Sequence, residues 1–363
     1  MKLTVLILLV AISSFIFQTN QKENPLAVIA YYNGDRATID EYPVEQLTHI
    51  IFSFVHLKGN KISFDNYDDE LTVKKLVSLK EKNPQLKIQV ALGGWAGCPS
   101  CSSVFSSEKG RTQFAESVKK IIDKHHLDGL DLDWEYPAIE GKEGHRFTAE
   151  DKQNFTSLIK EIRAKIGNEP ELSFAAGGFS EFFEQSIEWE KVMPLIDRVN
   201  LMSYDLVNGN SVKTGHHTPL YSTPEQEVST DFGVNYLLKS GVPAKKIVIG
   251  AAFYARVWEN VSSKNNGLYQ PGKFLTSYSY KDFDERLANF SFYEDPTSKA
   301  TYAYSSSEGL FATFDDKSSV TLKTNYAIDK KLGGIMFWEL TGDKTKDGLL
   351  STIYAAKTNN NTK

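Results

Sequence analysis

Basic tracts are missing from this chain. Its 41 Lys and Arg residues are outnumbered by 46 Asp and Glu, giving a net charge of −5. A mild negative balance with no cationic cluster argues against nucleic acid or an anionic membrane surface as a partner. After the opening twenty residues no apolar run is long enough to span a bilayer, and there is no internal repeat, low-complexity linker or appended binding module. Cysteine is scarce as well, with only Cys98 and Cys101, in WAGCPSC. Three readings compete for them. A redox Cys-x-x-Cys normally belongs to a unit much shorter than this chain. A zinc site would need two further ligands, and no histidine pair has matching spacing, His216 and His217 being adjacent. In an exported protein a small local disulfide pinning a loop is the simplest reading.

What the chain does have begins at its start. MKLTVLILLVAISSFIFQTN carries one Lys, an apolar run to Phe17 and then polar residues, the pattern of a signal peptide over 1–22. An uncleaved membrane anchor is the alternative. Export to the medium or periplasm is therefore expected, with no stable membrane insertion once the segment is removed and the mature fold starting near 24. Aromatic residues are abundant, with 22 Phe, 17 Tyr and 5 Trp. Most should fill a core, and the rest suit a surface that stacks a ligand.

Short apolar, β-branched runs recur along the chain: 26–32, 47–55, 86–92, 127–134, 171–178, 198–205, 246–254 and 332–340. Near-continuous hydrophobicity fits strands buried on both faces of a parallel sheet. Between them lie amphipathic stretches at 111–126, 152–166 and 318–332 whose apolar residues recur at three and four, as helices lying on a sheet require. Eight such alternations predict an α/β fold, a (β/α)8 TIM barrel. The interval from Tyr254 to Gly333 is too long for a loop and a helix, and it alternates polar and aromatic residues between turn signals. The expected organisation is thus a barrel over 24–257 and 314–358, interrupted at 258–313 by a small α+β insertion between strand seven and helix seven. A monomer is expected.

The fourth run, DGLDLDWEYP from Asp128 to Pro137, loads four acidic residues into an otherwise apolar strand. Strand side chains alternate, so Asp131, Asp133 and Glu135 share one face and Leu130, Leu132 and Trp134 the other. On the inner face of a barrel the acids would stand roughly 6.5–7 Å apart. Such a row cannot all ionise cheaply in a low dielectric, so at least one should hold a proton near neutral pH. Glu135, with the longest arm and nearest the rim where barrel active sites lie, is the natural proton donor. Asp133 would hydrogen-bond to it and shuttle charge with Asp131 beneath, while Asp128 is structural. The alternatives are a buried network with bases, for which Arg256 is the main candidate, and a magnesium or calcium site. Three ligands on one flat strand do not wrap an ion, so no metal is expected.

DGLDLDWEYP resembles the Asp-x-x-Asp-x-Asp-x-Glu signature of the family 18 glycoside hydrolases, the chitinases and their relatives. The likeness continues in ALGGW (91–95), LMSYD (201–205), GAAFYAR (250–256) and GGIMFWEL (333–340), which resemble the family's motifs on strands three, six, seven and eight in the same order. The resemblance spans about 26–356 and implies hydrolysis of β-1,4-linked N-acetylglucosamine in chitin or chitooligosaccharides, with no cofactor. It also implies a substrate-assisted retaining route, in which the acetamido oxygen of the sugar attacks the anomeric carbon in place of a second carboxylate. Glu135 would protonate the glycosidic oxygen and then activate water, and Asp133 would turn towards the acetamido N–H. Tyr204 would hold the acetamido oxygen, Asp205 would bind polar groups of the sugar, and Met202 would line the pocket. Trp338 would be the floor under the sugar, with Tyr31 and Phe54 as wall. Trp95 would stack against sugar on the leaving-group side, Gly94 and Tyr136 would be among the substrate-binding residues, and Tyr254 and Arg256 would add polar contacts. His216 and His217 would either rim the cleft or serve loop packing.

Two departures stand out. Ala91 replaces the Ser of the strand-three motif, removing a hydroxyl beside the Asp131 layer, and Ala252 and Ala255 replace the Pro and Gly common on strand seven. The alternatives to a chitinase are an endo-β-N-acetylglucosaminidase acting on N-glycans and a non-hydrolytic chitin-binding lectin on the same barrel. The insertion favours a deep cleft and hence the chitinase, and the retained Glu135, Asp133, Tyr204 and Asp205 disfavour the lectin.

Overall fold

Each of the eight apolar runs forms a parallel strand: β1 Ala27–Tyr32, β2 His49–Lys58, β3 Lys87–Gly93, β4 Gly129–Asp133, β5 Glu171–Gly177, β6 Arg198–Met202, β7 Ile247–Ala252 and β8 Gly334–Trp338. The computed structural model describes residues 26–360, so the expected signal peptide lies outside the described residues. Neighbours pair in chain order, and β1 closes the ring by pairing with β8 through Ala27 and Gly334 and with β2 through Ile29 and His49. The result is a closed (β/α)8 barrel.

Alternation along each strand separates two cores. Val28, Ala30 and Tyr32 face the surrounding helices, whereas Ala27, Ile29 and Tyr31 face the barrel interior. Helix Glu108–His125 starts where the Ser107 hydroxyl accepts the Gly110 N–H at 3.0 Å and lays Phe114, Val118, Ile121 and Ile122 on the barrel. Helix Asp151–Ile166 buries Phe155, Leu158, Ile159 and Ile162 in the same way and stops at Gly167, whose φ of +75° a side chain would resist.

Between β7 and β8 lies a second, antiparallel sheet of five strands. Its spatial order is Lys273–Ser279, Tyr254–Glu259, Leu310–Phe314, Thr301–Ser305 and Ser291–Glu294. The sheet begins at Tyr254, four positions before the expected 258, and ends at Phe314. In the sequence the run to Tyr254 looks like one strand, but Phe253 lies between two strands that belong to different sheets. Arg256 therefore sits on the inserted sheet rather than on the barrel.

The two ends of the barrel are closed differently. At the amino-terminal end the first residues of β2, β3, β5 and β6 form an ion cluster in which Glu171 accepts from His49 at 3.1 Å and from Arg198 at 3.0 Å and pairs with Lys87. Although burial opposes it, these partners hold the Glu171 carboxyl down at about 2. Near the other end a buried pair joins helix Lys317–Asp329 to the strand tops. Lys323 Nζ lies 2.7 Å from Asp315, whose carboxylate also accepts the Ala252 N–H at 2.9 Å and the Thr218 hydroxyl at 3.1 Å.

Both members of that pair are fully buried. Lys323→Met should lower the unfolding free energy by about 3–5 kcal/mol, because it leaves the buried Asp315 carboxyl without its cationic partner. A urea melt reads the change directly, and a loss below about 1 kcal/mol, the size of a surface pair, would contradict it.

Candidate active site

The acid row lies on the inner face of β4 and just beyond it. Asp131 is fully buried, with its carboxylate accepting from Ser173 Oγ at 2.6 Å, Tyr31 Oη at 2.8 Å and Asn200 Nδ2 at 3.0 Å. Burial still pushes it above its ordinary value, and the three hydrogen bonds pull it back. Asp133, one step nearer the rim, is also buried, and its Oδ1 has no hydrogen-bond partner. Burial, with the charges of Glu135 and Asp131, drives its carboxyl far above the usual range, so it holds a proton. β4 ends at Asp133, and Glu135 stands half-buried beyond it. Burial pushes Glu135 up to about 7, a hydrogen bond with Tyr136 pulling against the rise and the Asp205 charge adding to it. Asp128 has the structural part expected of it, accepting the Ile88 N–H at 2.6 Å and pairing with Lys80 at 2.6 Å.

Facing the row, Asp205 follows β6 in a left-handed conformation, with φ of +56°. Both of its oxygens are taken by a fork from Arg256, Nε at 2.7 Å and Nη2 at 2.6 Å. Despite burial, His217 and Arg256 hold the Asp205 carboxyl well below the carboxylate range. Arg256 spends a third donor on Ser277 of the inserted sheet at 3.2 Å.

Aromatic rings line the mouth. Trp338 stacks on Phe54 at 5.4 Å and 18° and leans on Tyr31 at 5.9 Å. Tyr136 packs edge-on against Phe179 and Phe182, both at 5.5 Å, and against Trp95 at 6.2 Å. Trp95 itself is 45% exposed. Tyr31, Met202, Tyr204, Phe54, Tyr136, Tyr254 and Trp338 form one interior cluster, with Tyr204 and Tyr254 edge-on at 6.3 Å. Three peptide bonds at this rim are cis: Ser53–Phe54, Glu135–Tyr136 and Trp338–Glu339. Among the described residues no group of three or more His, Cys, Asp or Glu is arranged to hold a metal ion.

A mouth walled by rings, over a half-buried acid titrating near neutrality, is suited to proton donation to a glycosidic oxygen. The family model for "Glycosyl hydrolases family 18" matches residues 27–343. The chain belongs to glycosyl hydrolase family 18. It is 33% identical over 316 residues to chitinase A1 of Niallia circulans, an alignment covering 79% of this chain and 45% of that protein, so the chain spans under half of that relative's length. It is 30% identical to chitotriosidase-1 of Mus musculus over 320 residues, covering 82% of this chain and 68% of that protein. A family 18 N-acetylglucosaminidase from Paenibacillus barengoltzii has a TM-score of 0.82 at 33% identity, covering 91% of this chain and 99% of that one. The Group IV chitinase of Ostrinia furnacalis, in complex with allosamidin, has a TM-score of 0.83 at 27% identity, covering 92% and 99%.

Within this family 18 barrel, the residues singled out from sequence gather at the carboxyl-terminal rim. For His216 and His217 the structure favours the loop-packing alternative. His216 does not rim the cleft but is fully buried and bonds Asp295 at 2.9 Å, tying the loop to the inserted sheet. His217 is buried too, behind Asp205, with Nδ1 at 3.5 Å from its Oδ1. Cys98 and Cys101 are joined as a disulfide in the loop after β3. Sequence reasoning missed Ser173 and Asn200, which hold Asp131, and Phe179 and Phe182, which hold Tyr136. The signal for the first two was available, since Ser173 and Asn200 are polar residues at inward positions of strands otherwise apolar.

Gly94, with φ of +82°, lets the chain pass close under Phe54, where a Cβ would come within 2.5 Å of the ring. Gly94→Ala should destabilise the protein by about 1–3 kcal/mol and push Phe54 off Trp338. Chemical denaturation and tryptophan emission check this together; wild-type stability with unchanged emission would contradict it.

Proposed function

We propose that this chain is an exported hydrolase of β-1,4-linked N-acetylglucosamine oligomers or polymers, chitin and chitooligosaccharides, working by substrate-assisted retention. The observation that carries the proposal is the unequal state of the acids: Glu135 titrates near 7 at the mouth, while Asp205, the carboxylate facing it, is locked by Arg256. A glycosidase with two working carboxylates needs both free to act. Here only one is poised, which favours a substrate that brings its own nucleophile, the oxygen of a 2-acetamido group. The chitinase names of several relatives support the same substrate class, and the apolar segment at the start of the sequence supports export.

The roles follow from position. Glu135 donates its proton to the glycosidic oxygen as the C–O bond breaks and takes one back from the water that opens the oxazolinium ion. Asp133, protonated beneath it, turns to the acetamido group and accepts its N–H through the carboxyl C=O oxygen, which fixes the plane of the amide. Tyr204 orients the acetamido oxygen for attack. Trp338, already part of a ring stack, offers a flat face to the C–H side of the pyranose, and Trp95 offers another on the leaving-group side.

Chitohexaose digestion tests the reading. Glu135→Gln should cut kcat by about 10²–10⁴-fold, the usual share of general acid–base catalysis. Because Glu135 must carry its proton in the free enzyme, kcat/KM should fall as the pH rises through about 7. A Glu135→Gln variant that keeps most of its activity would sink the assignment. Cleavage of high-mannose glycoprotein but not chitohexaose would move the substrate to N-glycans, and binding of chitohexaose without product at any pH would make the protein a lectin. A further check is the sugar itself: oligomers bearing a plain hydroxyl at carbon two should be left uncut, and their cleavage at a comparable rate would remove substrate assistance.

A further inference from the structure

Asp131 is too deep to reach a substrate, and a lone carboxylate at that depth would take up a proton. What it has instead is a set of donors from three other strands. Two residues flank it at the same register, Ala91 on β3 and Ser173 on β5. Ala91 offers only a methyl, at the position where the family motif carries Ser. Ser173 offers a hydroxyl 2.6 Å from Oδ1. Asn200, on β6, gives its Nδ2 both to Asp131 at 3.0 Å and to Tyr31 Oη at 3.1 Å. Turning that amide over would aim its oxygen at the carboxylate, so its orientation is set by the acceptors it serves.

We propose that Ser173 and Asn200 are positioning residues that keep Asp131 anionic at the foot of the acid row, Ser173 supplying from β5 the hydroxyl that β3 lacks at Ala91. The inference rests on Glu135 being the proton donor of the proposed reaction. A charged Asp131 obliges Asp133 to hold the row's proton, and the proton thus stays beside Glu135. Deprived of its donors, Asp131 competes for that proton and draws it away from the rim. The titratable and charged groups that face Asp131 are Asp133 on its own strand, Tyr31 from β1, Arg198 from the start of β6, and Tyr204 beyond the end of β6. Of these only Arg198 carries a positive charge, so the neutral donors matter.

Four proteins decide the matter: wild type, Ser173→Ala, Ser173→Thr, and Ala91→Ser combined with Ser173→Ala. Activity on chitohexaose is followed against pH, and the carboxyl groups are titrated without substrate by infrared difference spectroscopy. Ser173→Ala should have its acidic limb moved up by about one pH unit, so that at a pH on that limb it loses about tenfold in kcat with little change in KM, the two being the same free energy. The sign follows from activity needing Asp131 charged: a raised Asp131 pKa means that falling pH neutralises it sooner. Ser173→Thr keeps a hydroxyl and should keep the rate. Ala91→Ser should restore the Ser173→Ala protein, because residue 91 flanks Asp131 from the other side. An unchanged rate and limb in Ser173→Ala would overturn the proposal, as would a loss that neither restored hydroxyl repairs. If wild type leaves chitohexaose uncut, the proposed function falls, and the infrared titration still decides this inference. A carboxyl that titrates higher in Ser173→Ala and returns in the double variant supports it, and one that does not move overturns it.

Discussion

Three carboxyl groups stacked along one strand of a closed barrel impose a condition on every strand beside it. A parallel barrel has no water-facing side for β4, so each acid must be accommodated where it stands. The structure does this in three different ways. Asp131 is surrounded by donors, Asp133 takes a proton and Glu135 reaches the half-open rim. The result is a gradient along about two strand repeats, from a bonded carboxylate through a neutral acid to a group titrating near 7. No single residue generates that gradient. It comes from burial, which raises all three, acting against a supply of donors that runs out towards the mouth.

The opposite wall works by contrast. Asp205 is a carboxyl like those of the row, yet Arg256 and His217 hold it as an anion. Arg256 reaches it from the inserted sheet, anchored there by Ser277 and packed over Tyr254 and Phe274 at 5.3 and 5.6 Å. The insertion is therefore more than a wall. It supplies the cation that removes a second carboxylate from play, and in the proposed reaction that removal is what leaves the nucleophile's role to the substrate.

Much of this was legible in the sequence, for identifiable reasons. The eight strands follow from apolar runs too continuous for a half-exposed sheet, and all eight are present within a few residues of their expected limits. The inward facing of Asp131 and Asp133 followed from strand alternation alone, and Leu130 and Leu132 do face the helices. What was not legible depended on contacts between distant segments. The start of the inserted sheet was hidden because Ala252–Tyr254 continues the hydrophobic run of β7 across a change of sheet. His216 and His217 look like exposed loop residues until Asp295 and Asp205, far along the chain, are folded onto them. Ser173 and Asn200 stand out in a linear reading only as polar residues on apolar strands, and their meaning comes from the register that sets them against Asp131.

The two ends of the barrel show why burial of charge alone does not mark a reactive site. At the amino-terminal end His49, Glu171 and Arg198 are largely buried beside Lys87, but each Glu171 oxygen has partners and none of the four is left wanting. Such a cluster is a closed network, stable in one protonation state. At the carboxyl-terminal end Asp133 Oδ1 has no hydrogen-bond partner, and Asp133 and Glu135 sit within a proton's reach of changing state. A buried carboxyl oxygen without a partner is costly, and here it stands beside a second carboxyl that titrates near neutrality, where a substrate group or a moving proton can satisfy it. That asymmetry, rather than the number of acids, is the physical reason for locating the chemistry at the mouth above Glu135.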